Sequence, residues 1–455
     1  MHTARMSMFF ALVHVMQRRD TAGMQTINAI SDAPPRDTGF DFDHAPDRKA
    51  TGSVKWDLAP APRRLPLPPG VSLRRGDILP LWVADMDFAA CPAVSRAVAE
   101  RAAHPVFGYP LRVDSDYEAY ISWMRRRNGW EVSREWILHT PGVVPALNLA
   151  VQAFSREGEG VVIQPPVYKP FRDAALSNGR VPLENPLKRE DGRYAMDFDA
   201  LERLLDGHAR APRATMLILC NPHNPVGRVW NEAELRRLAS ICALRGVTIV
   251  SDEIHSDILA PGVRHHCLPG ISAEAARIGL VLSAPNKTFN IAGIPTANIV
   301  IPDPALRAAF AARIAAAGLG VPDLFGLVAT KAAYEEGEPW LAALNAYIRS
   351  NYLYLAERLA KGAPMIRHDV PEGGYLVWLD FRALGLDDEG LRTLLLDGAG
   401  VWLDEGEKFG TGGTGFMRLN LACTRSLLAC ATDRILRSLD ELAAGRRIAG
   451  NGDGT

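Results

Sequence analysis

Short apolar runs alternate with longer amphipathic stretches through the central part of the chain, a pattern typical of βαβ units. Because parallel strands need a crossover that is usually a helix, the alternation predicts an α/β fold with a mainly parallel sheet flanked by helices. Strands are predicted at 160–164, 215–220, 247–251, 279–283 and 297–301. Helices are predicted at 145–154, 168–178, 231–245 and 304–317.

Composition narrows the class of partner. With 455 residues, 47% of them hydrophobic, the chain can bury one or two large cores. A formal net charge of −1 gives no long-range attraction to nucleic acid or anionic lipid, so a small molecule or a second copy is the expected partner. No apolar run is long enough to cross a membrane. Six scattered cysteines without a C-x-x-C pair argue against a zinc site and a disulfide framework, so we expect no metal and a cytoplasmic protein.

The chain divides into four predicted segments. Residues 1–50 mix Arg, Asp, Pro and Gly without periodicity, and we expect a partly disordered or loosely packed N-terminal extension. Residues 100–330 carry the α/β pattern and should form a large domain. Residues 51–99 and 331–446 should form the two parts of a smaller α/β domain, since the latter contains an apolar strand at 373–381 and a long amphipathic helix.

Residues able to carry chemistry follow the predicted strands. In open α/β sheets, ligands bind beyond the carboxyl ends of the strands. Each residue alone has an ordinary explanation as a turn former, a helix cap or a solvated charge. Their occurrence after four predicted strands favours one common site. In chain order they are Tyr168, Asn221 with Asn224, Asp252 with His255, and Lys287.

A Gly-containing turn opens an apolar helix in TPGVVPALNLAVQAF at 140–154, and backbone N–H groups at such a helix start can bind an anion. Together with a lysine, an aspartate, an asparagine and a tyrosine, this turn meets the requirements of pyridoxal 5'-phosphate. That cofactor needs a lysine for its Schiff base, an anionic partner for its ring nitrogen, a phosphate-binding turn and an aromatic face. We therefore predict pyridoxal phosphate as the cofactor.

Several longer phrases occur in a characteristic order. They are KWD at 55–57, LPLWVADMDF at 79–88, FGYP at 107–110, PGVVPALNLAV at 141–151, PPVYKPF at 165–171, NPHNPVGRVW at 221–230, SDEIHSDI at 251–258, KTFNIAG at 287–293 and RLNLAC at 418–423. With these phrases, about residues 50–440 resemble the fold-type I pyridoxal-phosphate enzymes of the aminotransferase superfamily. Within that superfamily, the chain is similar to the MalY/PatB group of cystathionine β-lyases, also called C–S lyases.

The resemblance implies roles for the residues that follow the strands. Lys287 would hold the cofactor covalently and then move the substrate α-proton. Asp252 would pair with the ring nitrogen and keep it protonated. Asn224 would donate to the phenolic oxygen of the cofactor, and Tyr168 would stack on its ring.

The phosphate site is implied in less detail. Backbone groups of Gly142, Val143 and Val144 would contact the phosphate. Tyr109, which we count with the catalytic residues, would reach the phosphate of the neighbouring subunit and so make the active unit a homodimer with shared active sites.

Some positions depart from the aminotransferase pattern. Aminotransferases often carry a phosphate-binding serine three residues before the lysine and an arginine eight residues after it, where this chain has Ala284 and Pro295. Ser283 is therefore a candidate for the phosphate site. His255 stands where aminotransferases often have a tyrosine for the phenolic oxygen, and it is assigned to the cofactor site without a defined role.

The phrase FMRLNLA places Arg418 and Asn420 on one face of a short predicted strand. An arginine there could bind the substrate α-carboxylate through two parallel hydrogen bonds. A salt-bridged arginine on a surface strand would fit the local sequence equally well. The resemblance favours substrate binding by both residues.

The resemblance implies β-elimination, in which L-cystathionine or a related cysteine S-conjugate gives a thiol (homocysteine from cystathionine), pyruvate and ammonia. An aminotransferase of small amino acids is the alternative enzyme, since both reactions begin with removal of the α-proton. A regulatory protein built on the same fold is a further alternative. No second arginine in a recognised motif would bind the distal carboxylate of aspartate or glutamate, which disfavours transamination of those two amino acids.

Overall fold

The structure, a computed structural model, describes residues 39–59, 78–190, 192–207 and 212–450, with side chains as far as residue 445. The part of the predicted extension at 1–38 lies outside the described residues. Within the described ranges, no helix is both long enough and apolar enough to span a bilayer.

The strands are numbered along the chain. They are β1 (Leu79–Pro80), β2 (Ile137–Thr140), β3 (Gly160–Ile163), β4 (Val181–Glu184), β5 (Lys188–Glu190), β6 (Arg193–Ala195), β7 (Ala214–Cys220), β8 (Thr248–Asp252), β9 (Gly279–Ser283), β10 (Ala297–Val300), β11 (Arg367–His368), β12 (Leu376–Asp380), β13 (Val401–Trp402), β14 (Asp404–Glu405) and β15 (Phe416–Asn420).

The α-helices are numbered in the same way. They are α1 (Val54–Asp57), α2 (Pro92–Ala103), α3 (Asp114–Asn128), α4 (Val143–Phe154), α5 (Pro170–Ser177), α6 (Phe198–Asp206), α7 (Glu232–Leu244), α8 (Ala273–Ile278), α9 (Pro285–Thr288), α10 (Pro304–Ala316), α11 (Leu324–Glu336), α12 (Glu338–Gly362), α13 (Asp388–Arg392) and α14 (Arg425–Gly450). Short 3₁₀ turns lie at Arg134–Trp136, Leu268–Gly270, Arg382–Leu384 and Gly406–Phe409, and a π-helical turn lies at Thr393–Gly398.

A seven-stranded sheet in the order β2-β10-β9-β8-β7-β3-β4 forms the centre of the fold. The pairs from β9 through β8, β7 and β3 to β4 are parallel, and β10 is antiparallel to both of its neighbours. The predicted α/β class with a mainly parallel sheet is thus confirmed. The five predicted strands correspond to β3 and β7–β10. The edge strands β2 and β4 were not predicted, because each is four residues long and only partly apolar.

Helices cover both faces of this sheet because its strands are apolar on both sides. On β8, Val250 packs in a cluster with Leu147 of α4 and Phe310 of α10. The adjacent Ile249 packs on the other face with Leu235 of α7. Alternation along the strand therefore assigns Asp252, two residues after Val250, to the α4 and α10 side.

A four-stranded antiparallel sheet, in the order β11-β12-β15-β14, packs with the long helix α12. The helix is amphipathic, as predicted, and six of its apolar residues are buried: Leu341, Leu344, Ile348, Tyr352, Leu355 and Leu359. Their core cluster continues to Val281 of β9 and Val300 of β10, so the two sheets share apolar packing. The residue positions of the domain boundaries remain predictions.

Within residues 39–50, Phe42 packs into the core of the fold, while most of the other side chains are exposed. The expectation of a partly disordered or loosely packed extension remains a prediction. The Phe42 side chain is 5% exposed, and its ring centroid lies 5.0 Å from that of Phe88. The Tyr347 hydroxyl donates to Asp43 Oδ1 at 2.6 Å. Phe40 and Phe42 alternate with Asp41 and Asp43, a pattern too short to predict an element, yet the burial of Phe42 anchors the segment.

Two cations from this N-terminal part hold two carboxylates of the segment after β1. Lys55 Nζ lies 2.8 Å from Asp87 Oδ2, and both side chains are almost fully buried. Arg48 Nη2 lies 2.7 Å from Asp85 Oδ2 and Arg48 Nη1 lies 3.3 Å from Asp87 Oδ1. Because buried charges must be paired, these contacts fix the path of residues 85–87.

We expect Lys55→Met to lower the free energy of unfolding by about 3 kcal/mol, because it leaves the buried Asp87 carboxylate with Arg48 as its remaining cation. Urea denaturation measures the change. The matched control is Lys169→Met, since Lys169 forms a largely exposed pair with Asp173 and its loss should cost less than about 1 kcal/mol. Equal effects of the two substitutions would refute the structural role of Lys55.

Candidate active site

Asp252 is the last residue of the central strand β8, and it is 4% exposed. It pairs in register with Cys220 at the end of β7 and with Leu282 near the end of β9. Residues that follow these three strands therefore emerge at the same edge of the sheet, as predicted.

Burial raises the pKa of Asp252 to about 7. A hydrogen bond from the Ile254 backbone N–H to Oδ1, 3.2 Å long, opposes this rise, as does the positive charge of Lys287. The negative charge of Glu253 adds to the rise. A carboxylate in this position would be stabilised by a protonated nitrogen placed against it.

Lys287 belongs to the short helix α9, which begins at Pro285 immediately after β9. Its Nζ donates to the backbone oxygen of Ala84 at 2.6 Å. Burial lowers the pKa of Lys287 to about 8, while the charges of Asp85 and Asp252 oppose the fall. A lysine amine with this pKa is partly neutral near neutral pH and can act as a nucleophile or base.

Arg418 lies in β15, so it reaches the site from the second sheet. Its Nη1 donates to Asn224 Oδ1 at 3.0 Å, and its Nη2 donates to the backbone oxygen of Trp82 at 2.8 Å. Nη2 also lies 2.6 Å from Asp404 Oδ2. The bond to Asn224 fixes the orientation of that amide, whose Nδ2 is then directed away from the guanidinium.

Asn420, two residues after Arg418, is fully buried and bonds to the backbone. Its Nδ2 donates to the oxygens of Val83 and Asp85 at 2.7 and 2.6 Å, and its Oδ1 accepts from the N–H of Ala422. The amide therefore holds residues 83–85 in place. This geometry favours a positioning role for Asn420 over the direct substrate contact that we predicted.

Tyr375 adds a second donor to the same segment, since its hydroxyl donates to the Ala84 oxygen at 2.8 Å. The His255 ring lies edge-on to Tyr375 with centroids 5.7 Å apart. Burial lowers the pKa of His255 to about 3, with further lowering by the charges of Lys287 and Arg418, so its imidazole is neutral. Its Nδ1 is a buried atom without a hydrogen-bond partner within the described structure.

Gly142 directly precedes helix α4, whose first residues are Val143 and Val144. The first N–H groups of a helix lack partners within it, so this turn presents backbone donors. Val143 is buried and Val144 is 41% exposed.

Tyr168, after β3, packs against the core cluster on the α4 side of the sheet, which is the side of Asp252. Burial raises the pKa of Tyr168, and the Asp252 charge adds to the rise.

Ser283 contacts a different part of the fold, and Tyr109 lies at the surface of the single chain. The Ser283 hydroxyl donates to the backbone oxygen of Asn298 at 3.2 Å and lies 2.8 Å from the Tyr120 hydroxyl. It shares a sheet face with Val281, opposite the face of Asp252, so its placement does not support the predicted phosphate contact. Tyr109 is 96% exposed.

Next to Asp252 in the chain, Glu253 forms a buried cluster with His265 and Cys267, and all three are side chains of types that bind metals. Ligand atoms of Glu253, His265 and Cys267 lie within 4.8 Å of one another. The Glu253 carboxylate accepts from the Ser251 hydroxyl, from the N–H of Leu268 and, at 2.8 Å, from His265 Nε2. These hydrogen bonds explain the cluster as a polar part of the core.

Sequence reasoning missed three contributors: the Ala84 carbonyl, Tyr375 and Asp404. Ala84 lies in LPLWVADMDF and Tyr375 in the predicted strand 373–381, but neither phrase indicates a role for a particular residue. Asp404 belongs to a strand of two residues, which is too short to give a periodic signal.

The arrangement fits pyridoxal phosphate by the chemistry of its donors. Lys287 supplies an amine of lowered pKa, and Asp252 supplies a buried carboxylate that lacks a direct cationic partner among the described ion pairs. Asn224 supplies an oriented amide, and the turn at 142–144 supplies backbone N–H groups for an anion. Pyridoxal phosphate carries an aldehyde, a basic ring nitrogen, a phenolic oxygen and a phosphate. Each of these groups has a partner among the protein groups named above.

Residues 76–435 match the family model for aminotransferase class I and II. The chain belongs to that family. It is 43% identical over 400 residues to cystathionine beta-lyase PatB of Bacillus subtilis (strain 168), covering 88% of this chain and all of PatB. It is 33% identical over 393 residues to protein MalY of Escherichia coli (strain K12), covering 86% of this chain and 96% of MalY.

Among solved structures, the chain is similar to cystalysin from Treponema denticola, which contains pyridoxal 5'-phosphate. The TM-score is 0.81 with 35% sequence identity, over 89% of this chain and 99% of cystalysin. The resemblance to fold-type I enzymes and to the MalY/PatB group is therefore confirmed, and so is the predicted fold class.

Asp252 should make the stability of the cofactor-free protein depend on pH. Its pKa is 3.8 in the unfolded chain and about 7 in the folded one, so between these values the folded state binds more protons. Its contribution to the free energy of unfolding therefore falls as pH rises through that window. Asp252→Asn cannot titrate. Relative to wild type, this variant should gain about 2 kcal/mol between about pH 5 and about pH 7.5.

Urea denaturation of both proteins at the two pH values, after removal of the cofactor, measures this gain. Asp173→Asn serves as a control, since the Asp173 side chain is 44% exposed and its carboxylate pairs with Lys169. A difference between Asp252→Asn and wild type that stays constant with pH would contradict the raised pKa.

Proposed function

We propose that the protein is a pyridoxal-phosphate-dependent C–S lyase. It cleaves L-cystathionine or a related cysteine S-conjugate to a thiol, pyruvate and ammonia; cystathionine itself gives homocysteine. The observation that carries this proposal is the convergence of Lys287, Asp252 and Arg418 at the carboxyl edge of the central sheet. The similarity to PatB over its entire length supports the choice of reaction.

Pyridoxal phosphate, when bound, supplies an acceptor for the electrons of the breaking α-carbon bond. Lys287 holds the cofactor and then moves the α-proton, for which a pKa of about 8 is suited. Asp252 keeps a proton on the ring nitrogen, because each opposite charge stabilises the other in this buried position. Asn224 donates its amide hydrogens to the phenolic oxygen.

Tyr168 packs against the ring, and the backbone N–H groups of Gly142, Val143 and Val144 bind the phosphate. We also assign His255 to the cofactor site, where its neutral imidazole would provide a polar edge.

Arg418 binds the α-carboxylate of the substrate, since its guanidinium is oriented by Asn224 and Trp82 and backed by the Phe409 ring at 4.9 Å. Asn420 acts indirectly, by holding residues 83–85. The Ala84 carbonyl in that segment fixes Lys287 Nζ. Two side chains of β15 thus serve the site: Arg418 binds the substrate, and Asn420 holds the segment whose Ala84 carbonyl fixes the Lys287 amine.

Transamination is the competing activity, because it also begins with transfer of the α-proton by a lysine. The aminotransferase description of the family model keeps this alternative open. No observation among the described residues favours a purely regulatory role, since the residues required for cofactor chemistry are present together.

The purified holoenzyme, given L-cystathionine without any keto acid, should release pyruvate, ammonia and homocysteine in equal amounts over many turnovers. Lactate dehydrogenase coupling, an ammonia assay and a thiol reagent follow the three products. Lys287→Ala should abolish release of all three, whereas the control Lys169→Ala, at an exposed ion pair, should leave it unchanged. If no pyruvate appears, while the cofactor spectrum changes to that of its amine form and recovers only on addition of a keto acid, the protein is an aminotransferase.

We also propose that the active unit is a homodimer in which Tyr109 contacts the cofactor phosphate of the neighbouring subunit. Tyr109 lies in a run of exposed apolar side chains, with Val106, Phe107 and Leu111 exposed by 60% or more. An apolar surface of this kind is unfavourable in water and suits a protein interface. A tyrosine that is 96% exposed in one chain can reach a site in another.

Chain mixing tests the shared site. Tyr109→Phe and Lys287→Ala homodimers should each have low activity. A heterodimer of the two should contain one intact site and one site with both changes, so about a quarter of wild-type activity should return in an equal mixture with random exchange. No recovery, with exchange verified by differently tagged chains, would contradict the contribution of Tyr109 across the interface.

We place the protein in the cytoplasm. All six cysteines are free, and five of them are buried, which suits a reducing compartment.

A further inference from the structure

The guanidinium that should bind the substrate carboxylate is already occupied by an acidic side chain of the same protein. Arg418 Nη2 lies 2.6 Å from Asp404 Oδ2. The same nitrogen donates to Trp82 O, while Nη1 donates to Asn224 Oδ1. Arg418 and Asp404 side chains are 5% and 15% exposed, so water screens this pair weakly.

The secondary structure places Asp404 at this position. Strands β14 and β15 pair antiparallel, with Asp404 directly opposite Arg418. Directly opposite residues in such a pair project from the same face of the sheet, close enough for their side chains to interact. The contact is thus built into the register of the two strands.

Asp404 has a second cationic neighbour. Lys408 Nζ lies 3.7 Å from Asp404 Oδ1 and 3.0 Å from Glu405 Oε2, and the lysine side chain is 39% exposed. Burial raises the pKa of Asp404, while the charges of Arg418 and then Lys408 oppose the rise. The carboxylate therefore lies between an inner cation, which belongs to the substrate site, and an outer cation near the surface.

A carboxylate ligand and Asp404 compete for one nitrogen. Bidentate binding of a carboxylate uses either the Nη1–Nη2 edge or the Nε–Nη2 edge of a guanidinium, and Nη2 belongs to both edges. Asp404 Oδ2 lies 2.6 Å from Arg418 Nη2, and this nitrogen also donates to the Trp82 oxygen, so a carboxylate bound at either edge would lie beside Asp404. Two carboxylates at one nitrogen also repel each other, so bidentate binding requires that Asp404 move away.

We propose that Asp404 is an internal competitor for the substrate α-carboxylate: it holds Arg418 Nη2 in the free enzyme and turns to Lys408 when an α-carboxylate binds. The exchange replaces one ion pair of Arg418 with another and keeps Asp404 paired throughout. It sets the affinity of the site for every amino acid, because each must displace the same carboxylate.

The inference rests on the proposed function only through the assignment of Arg418 to the α-carboxylate, a step that β-elimination and transamination share. L-alanine is a suitable probe, because it carries an α-carboxylate but no leaving group on its β-carbon. Failure of the lyase assay therefore leaves the binding test intact. L-alaninamide lacks the carboxylate and is the matched control ligand.

Isothermal titration calorimetry of the holoenzyme with each ligand provides the readout. Asp404→Asn should bind L-alanine about tenfold more tightly than wild type, because the amide competes weakly for the guanidinium. Binding of L-alaninamide should change by less than about twofold. Weaker binding of L-alanine, or an equal change for both ligands, would overturn the proposal and leave Asp404 as a structural support of Arg418.

Lys408→Met gives an independent test at a residue that is partly exposed and so easily tolerated. Without the outer cation, Asp404 loses its second position, and L-alanine should bind about threefold more weakly. In an Arg418→Ala background, Asp404→Asn should leave L-alanine binding unchanged. A gain in affinity for Lys408→Met, or an effect of Asp404→Asn that persists without Arg418, would refute the exchange.

Discussion

Five consecutive backbone carbonyls, from Trp82 to Met86, each accept a hydrogen bond from a side chain elsewhere in the chain. The segment has no regular secondary structure, so its polar groups must find partners of this kind or remain unpaired in the interior. The donors, in the order of the carbonyls, are Arg418, Asn420, Lys287 with Tyr375, Asn420 with Lys55, and Arg48 with Asn290. The two residues expected to meet the cofactor and the substrate carboxylate are thus also structural donors.

These hydrogen bonds link the positions of Lys287, Arg418 and Asn420 to one backbone segment. The Lys287 amine, the Arg418 guanidinium and the Asn420 amide are all fixed by backbone oxygens that cannot move independently of one another. The ion pairs of Arg48 with Asp85 and of Lys55 with Asp87 hold the same segment. Preorganisation of this kind reduces the reorganisation needed during catalysis.

The sequence predicted those parts of the site that follow strands. Asp252, Asn224 and Lys287 come directly after long apolar runs, and parallel strands bring such positions to one edge. Ser283 shows the limit of that argument, because alternation along β9 turns its hydroxyl to the opposite face, where it contacts Tyr120.

The carbonyls of 82–86 and the carboxylate of Asp404 escaped prediction for a different reason. Every residue has a backbone oxygen, so the residue type does not indicate which oxygen accepts a hydrogen bond. A strand of two residues, such as β14, is too short to show an alternation of apolar and polar residues. Packing of Phe42 likewise depends on partners from helix α12, which its own neighbours in sequence do not indicate. The roles of the 82–86 carbonyls, of Asp404 and of Phe42 all depend on tertiary contacts, and a single sequence does not show such contacts.

The residues that contact Val83 and Ala84 lie far away along the chain, and this has a consequence for biosynthesis. The Lys287 bond spans 203 residues, and the bond from Asn420 to Val83 spans 337. Loop closure over such distances is slow. Asn420, the later of the two donors in the chain, leaves the ribosome when nearly all of the chain has been made. All seven strands of the central sheet lie within residues 137–300, but the Lys287 amine acquires its final surroundings only after β15 has been translated and has docked.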